Sequence, residues 1–139
     1  MRYLVLLVTL LFWVAPPLQA QTNDSEFRDY ADYAAFVDRH IMTRKFTPLI
    51  QRLGGRDEYT PEELAGNQRQ MEGVWPRNFE NVTVFNEQDL GGGIRQEARA
   101  YWTGTSYAFF YAMYHQRDDK FVVIVFLLNS SSKPIMQRF

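Results

Sequence analysis

Arginine and glutamate side chains alternate along one predicted strand and are the best candidates in this chain for binding an anion. Arg95, Glu97 and Arg99 are each separated by one residue, so in a strand all three side chains point to the same face of the sheet. Two guanidinium groups on one face could clamp the carboxylate of a ligand. The alternative, which we favour, is a solvent-facing strand with cross-strand ion pairs worth about 0.2–1 kcal/mol each.

Tyrosines of the same region could extend such a site. Tyr101, Tyr107 and Tyr111 combine an apolar ring with a polar hydroxyl group, which suits a small apolar or aromatic ligand. Together with Arg99 they form our predicted ligand-binding set. The same tyrosines would also serve as core residues or as the face of a homodimer formed through the sheet.

Histidine occurs only at positions 40 and 115. His115 precedes a polar stretch, residues 116–119, that could supply an acid–base pair or a weak cation site, although such a stretch is typical of a solvated hairpin turn. His40 could act with Asp38 or Tyr33 in a pocket, and the alternative is a helix-face histidine satisfied by a neighbouring group. We favour the structural interpretation of both histidines.

Composition excludes several classes of function. The chain has no cysteine, which excludes a disulfide framework, a thiol nucleophile and a zinc ribbon. Its net charge of −1 and the absence of a basic patch argue against a nucleic-acid partner. Because the sequence shows no set of nucleophile, base and oxyanion donors, we predict no catalytic residue, no metal site and no cofactor.

Three consecutive strands are predicted between residues 94 and 128. Residues 94–103 alternate in polarity, residues 107–115 are rich in aromatics, and residues 121–128 are all apolar. Short polar links between them require antiparallel hairpins, since a parallel crossover needs a dozen or more residues. The last strand is predicted to be buried on both faces and to lie inside the sheet.

Small residues on the predicted hairpin suggest space beside the sheet. In the simplest register one face carries four alanines: Ala98, Ala100, Ala108 and Ala112. Such a face allows either a closely packed helix or a hollow, and we favour the helix.

Three predicted helices precede these strands. Residues 27–41 have apolar side chains at a spacing of three and four, with cap candidates at residues 23–25. A short helix opens at Thr47-Pro48, and a third runs from Pro61 to about residue 72 behind a capping box. A first strand over residues 79–87 and a short edge strand over residues 133–139 complete the prediction.

Residues 1–20 have the pattern of a targeting segment. Arg2 is followed by an uncharged apolar run, and Leu18-Gln19-Ala20 resembles a cleavage site. The run is shorter than the roughly 20 residues of a spanning helix, so we expect a cleaved signal peptide, with an uncleaved membrane anchor as the alternative. The prediction is therefore a secreted or periplasmic protein, with no membrane contact after cleavage and one domain over residues 24–139.

Helices followed by an antiparallel sheet indicate an α+β fold, with N-terminal helices packed on a curved sheet of four to five strands. This element order resembles the nuclear transport factor 2-like superfamily, also called the cystatin-like cone fold. The resemblance covers residues 24–139 and rests on the long first helix, the short helices at Pro48 and Pro61, and the strands of residues 94–128. It is strongest to small secreted bacterial members, which carry little besides a signal peptide.

The resemblance implies a sheet folded around the long helix with a cone-shaped pocket. Some members are enzymes, such as ketosteroid isomerases and dehydratases, and many are non-catalytic binding or dimerisation modules. No Tyr/Asp pair here aligns with the isomerase site, so no catalytic residue is carried over. We expect a non-enzymatic domain that binds a small ligand or a protein partner through its concave sheet. A cofactor-free isomerase or lyase is the alternative, and it would be favoured if His40 or a carboxylate such as Asp32 lay inside a pocket with a strongly shifted pKa.

Overall fold

Most helices cover one face of an antiparallel sheet, and a short C-terminal helix packs on the other face, in the computed structural model, which describes residues 24–139. The five strands are β1 (Glu26–Phe27), β2 (Asn81–Gly91), β3 (Ile94–Thr103), β4 (Ser106–Gln116) and β5 (Phe121–Asn129). The helices are α1 (Tyr30–Met42), α2 (Phe46–Ile50), α3 (Pro61–Val74) and α4 (Lys133–Met136), with a π-helical turn (Gln51–Gly55) after α2. The strand order is β1-β5-β4-β3-β2, and the predicted α+β class is confirmed.

The predicted targeting segment, residues 1–20, lies outside the described residues. Within residues 24–139, no helix has the length and apolar character needed to cross a membrane.

The β3–β4 hairpin divides the four alanines between the two faces of the sheet. A two-residue turn pairs Thr103 with Ser106, so even-numbered residues of β3 share a face with odd-numbered residues of β4. Ala98 therefore points to the outer face, whereas Ala108 points towards the helices. The prediction of a single alanine face is wrong, because a register shift of one residue moves all the side chains of a strand to the opposite face of the sheet.

Strand β5 changes face at a β-bulge. Val123 pairs with Tyr114 and Val125 with Met113, which leaves Ile124 as an extra residue. Ile124 is 52% exposed, and β1 pairs with only the first two residues of β5. The prediction of a strand buried on both faces inside the sheet is wrong beyond Val123, because β5 is there an edge strand with a shifted alternation.

Helix α1 begins later than predicted. Its N-cap is Asp29, whose carboxylate accepts a hydrogen bond from the backbone N–H of Asp32 (2.8 Å), and not a residue of 23–25. The two residues of β1 are drawn into the sheet by pairing with β5, a long-range partner that helix spacing does not reveal.

Helix α3 begins as predicted. Thr60 Oγ1 accepts a hydrogen bond from the backbone N–H of Glu63 (3.2 Å), and the Glu63 carboxylate accepts one from the backbone N–H of Thr60 (2.8 Å). The capping box is thus confirmed. At the other end of the chain, Lys133–Met136 is a helix, so the predicted edge strand is wrong.

The core has two parts, one on each face of the sheet. On the helix-facing side, α1 buries Tyr33, Val37 and Ile41 against β4 and β5. On the outer side, Ile135 of α4 packs on Ala98 and Tyr111. Helix α1 therefore lies over the centre of the sheet.

Candidate functional site

A buried polar network lies between α1 and β3. We use this name for Glu97 and Arg99 of β3 with the groups that bind them: Tyr30, Tyr33, Asp38 and Tyr101. Glu97 and Arg99 are 0% and 3% exposed. The favoured prediction of a solvent-facing strand is therefore wrong here, because the alternation of β3 turns these charges towards α1.

Arg99 holds the two acidic groups of the network together. Its Nε donates to Glu97 Oε1 (2.6 Å), and its Nη1 donates to both carboxylate oxygens of Asp38 (2.9 and 3.1 Å). Its Nη2 donates to the hydroxyl oxygen of Tyr30 (2.8 Å). Arg99 thus clamps carboxylates, as a guanidinium is suited to do, but these carboxylates belong to the chain itself.

Tyrosine hydroxyls satisfy the remaining acceptors. Tyr30 and Tyr33 donate to the two oxygens of Glu97 (2.8 and 3.0 Å), and Tyr101 donates to Asp38 Oδ1 (2.7 Å). Among the described residues, no buried side-chain nitrogen or oxygen lacks a hydrogen-bond partner. The buried polar atoms of the network are therefore each bonded within the chain.

The electrostatics of the network keep its groups in fixed protonation states. Burial, reinforced by the charge of Glu97, raises the pKa of Tyr30 and Tyr33. Burial and the charge of Asp38 raise the pKa of Tyr101. Burial opposes the charge on Arg99, but the charge of Glu97 and its hydrogen bond outweigh it and raise the pKa of Arg99. At neutral pH the tyrosines are donors and the arginine is a cation, so the network ties α1 to β3.

The predicted ligand-binding residues lie on opposite faces of the sheet. Arg99 and Tyr101 belong to the buried polar network beneath α1. Tyr107 and Tyr111 lie on the outer face, with Tyr107 43% exposed and Tyr111 buried against α4. The structure therefore places Arg99 with Tyr101 on one face and Tyr107 with Tyr111 on the other. The four predicted residues do not line a common pocket.

Neither histidine joins an acid–base pair. The Nδ1 atom of His40 lies 2.7 Å from the carbonyl oxygen of Phe36 within α1, and the Nε2 atom of His115 lies 3.1 Å from the carbonyl oxygen of Gly92. Asp32 lies at the N-terminal end of α1, where its carboxylate accepts a hydrogen bond from the Arg28 N–H (3.2 Å). Within residues 24–139 no group of three or more acidic or histidine side chains could hold a metal ion.

An open cleft of about 370 Å³ lies between α2, α3 and β5 and shares no lining residue with the network. We call it the α2–α3–β5 cleft. Its apolar lining residues are Phe46, Leu49, Ile50, Met71, Phe126, Leu127 and Leu128, and its polar ones are Glu58, Tyr59 and Asn67. It exists because α1 covers β3 and β4, whereas α2 and α3 stand off from the C-terminal half of β5.

No family model, curated protein or solved structure matches this chain.

The outer face of the sheet carries exposed aromatic side chains. The ring of Tyr107 stacks between those of Trp102 and Phe109 at centroid distances of 6.1 and 5.8 Å, and Phe85 meets the edge of Phe109. The register places no Asp, Glu, Lys or Arg on this face of β2, β3 or β4. The homodimer expected through the sheet stays a prediction, and this is the surface that it would use.

Sequence reasoning did not find the cleft or the centre of the network. Tyr30 and Tyr33 are three residues apart and share a side of α1, but Asp38 follows Tyr33 by five residues, so the spacing alone does not place all three groups together. No comparable signal exists for Glu58 and Asn67, since they meet β5 only through the tertiary fold.

Proposed function

We propose that this chain is a non-enzymatic binding domain that takes a small apolar ligand into the α2–α3–β5 cleft. The observation that carries the proposal is the cleft itself. Its volume of about 370 Å³ falls in the range of ligand pockets, roughly 300–1,000 Å³, and its apolar walls with a few polar groups are typical of them.

The shape of the cleft also suits a ligand that enters from solvent. Phe126 and Leu128 come from the helix-facing side of β5, and Leu49 and Ile50 come from the end of α2. Met71 of α3 lies opposite, and a methionine side chain adapts to ligands of different shape. The helix-facing side of the sheet contributes residues to one wall of the cleft, which supports the proposed mode of binding.

A cofactor-free isomerase or lyase is the competing hypothesis. Such an enzyme needs an acid or base within reach of its substrate. Glu97 is enclosed by three donors, and Asp38 is held by Arg99 and Tyr101. Among the described residues that line the cleft, only Glu58 and Tyr59 have ionisable side chains, which favours binding over acid–base chemistry.

The proposed location is secreted or periplasmic, supported by the apolar run and cleavage pattern of residues 1–20. The order of helices before an antiparallel sheet supports the proposed relationship to the cone-fold superfamily, many members of which are binding modules.

A pair of tryptophan substitutions on α3 tests the cleft. Met71→Trp places a larger ring in the cleft, so we expect it to weaken binding of the apolar dye N-phenyl-naphthylamine by at least about tenfold, or about 1.4 kcal/mol. Dye fluorescence during a titration measures the affinity.

Val74→Trp is the matched control, because Val74 lies on the same helix, is 49% exposed and does not line the cleft. It should bind the dye as the wild type does. Equal affinities of the wild type and Met71→Trp, with both proteins folded, would rule out the cleft as the binding site.

A further inference from the structure

The polar groups that line the α2–α3–β5 cleft include a negative charge and no positive charge among the described residues. Of these lining residues, Glu58 is the only one with a formal charge at neutral pH, and none is a Lys, Arg or His. Within residues 24–139 the Glu58 carboxylate makes no ion pair or side-chain hydrogen bond. The nearest cation in sequence, Arg56, is engaged by the carboxylate of Asp24 at 2.9 and 3.1 Å.

The lining of the cleft also includes an accessible aromatic ring. Tyr59 lines the cleft and is 41% exposed. The loop that carries both residues is anchored at its start, because the backbone N–H of Glu58 donates to the carbonyl oxygen of Gly55 (3.3 Å). A carboxylate and an accessible aromatic ring in the lining of one cleft can both attract an ammonium group, the first by charge and the second by cation–π interaction.

From this asymmetry we infer that the cleft selects apolar molecules that end in an ammonium group. The apolar part lies against Leu49, Met71 and Phe126, and the ammonium group meets Glu58 and the ring of Tyr59. An anionic head group finds no cation among the lining residues and is repelled by Glu58. This inference rests on the proposed function, since it names the class of ligand for the same cleft.

Competition with matched amphiphiles tests the inference. Decylammonium, decanol and decanoate share one apolar chain and differ in the charge of the head group. We expect decylammonium to displace N-phenyl-naphthylamine from the wild-type protein at a concentration about three- to fivefold lower than decanol, as suits an exposed ion pair. Decanoate should be the weakest competitor.

Two neighbouring acidic residues provide the variant and its control. Glu58→Gln should abolish the preference for decylammonium over decanol, with both competitors measured against that variant's own affinity for the dye. Asp57→Asn removes the same charge from a residue that does not line the cleft, so it should keep most of the preference.

The outcomes separate the two proposals. In one outcome, Met71→Trp weakens dye binding while decylammonium and decanol displace the dye from the wild type equally well. That result overturns the inference and leaves the proposed function standing. A preference that survives in Glu58→Gln also overturns it. A protein that does not bind the dye overturns the proposed function and the inference with it.

Discussion

Arg99→Met should lower the free energy of unfolding by about 3–5 kcal/mol, because it leaves the fully buried Glu97 carboxylate without its cation. Within residues 24–139, Arg99 alone forms ion pairs with both Glu97 and Asp38, so its loss also frees α1 from one of its anchors on β3. Urea unfolding followed by circular dichroism measures the change.

The control is an arginine in an exposed ion pair. Arg117 and Asp119 are paired at 3.3 Å with side chains 48% and 59% exposed, and such pairs contribute about 0–1 kcal/mol. Arg117→Met should therefore be nearly neutral. In the double variant Glu97→Met/Arg99→Met no buried charge remains at the pair, so part of the lost stability should return. Equal effects of Arg99→Met and Arg117→Met would contradict the structural role of the network.

Val123→Asp should prevent stable folding, whereas the same substitution at Ile124 should be tolerated. Val123 is 3% exposed and belongs to the helix-facing core, so an aspartate there would bury an unpaired carboxylate at a cost of several kcal/mol. That cost is comparable to the whole stability of a domain, about 5–15 kcal/mol.

Ile124 is the bulge residue and points to solvent. Its replacement by aspartate loses strand propensity, which is worth no more than about 1 kcal/mol. Soluble expression and the urea midpoint of the two variants decide the question. If Ile124→Asp fails to fold like Val123→Asp, β5 is buried on both faces and the bulge is wrong.

Local signals in the sequence were enough to predict the start of α3 and the three long strands. The side chains of Thr60 and Glu63 hydrogen-bond to each other's backbone. This interaction is local, so the sequence pattern is enough to predict it. The alternation of residues 94–103 was also correct, and it placed Arg99 and Tyr101 on one face. Which face is buried was not encoded there, since Glu97 and Arg99 find their partners more than 60 residues away, in α1.

The errors in the sheet have a common physical cause. The face of a strand depends on single-residue steps, and both the two-residue turn after Thr103 and the bulge at Ile124 introduce such a step. The cleft could not be predicted from the sequence, for a different reason. Its walls come from α2, a loop, α3 and the end of β5, and only the tertiary packing of these elements leaves a space between them.

Ligand binding in the α2–α3–β5 cleft is tested most directly by mapping where an apolar molecule binds. Amide NMR spectra of isotope-labelled protein, recorded during a titration with N-phenyl-naphthylamine, report contact residue by residue. We predict that the largest shift changes occur at Leu49, Met71 and Phe126, with little change at Trp102 and Tyr107 on the outer face. Changes centred on the outer face, or no changes at saturating dye, would contradict the proposed function.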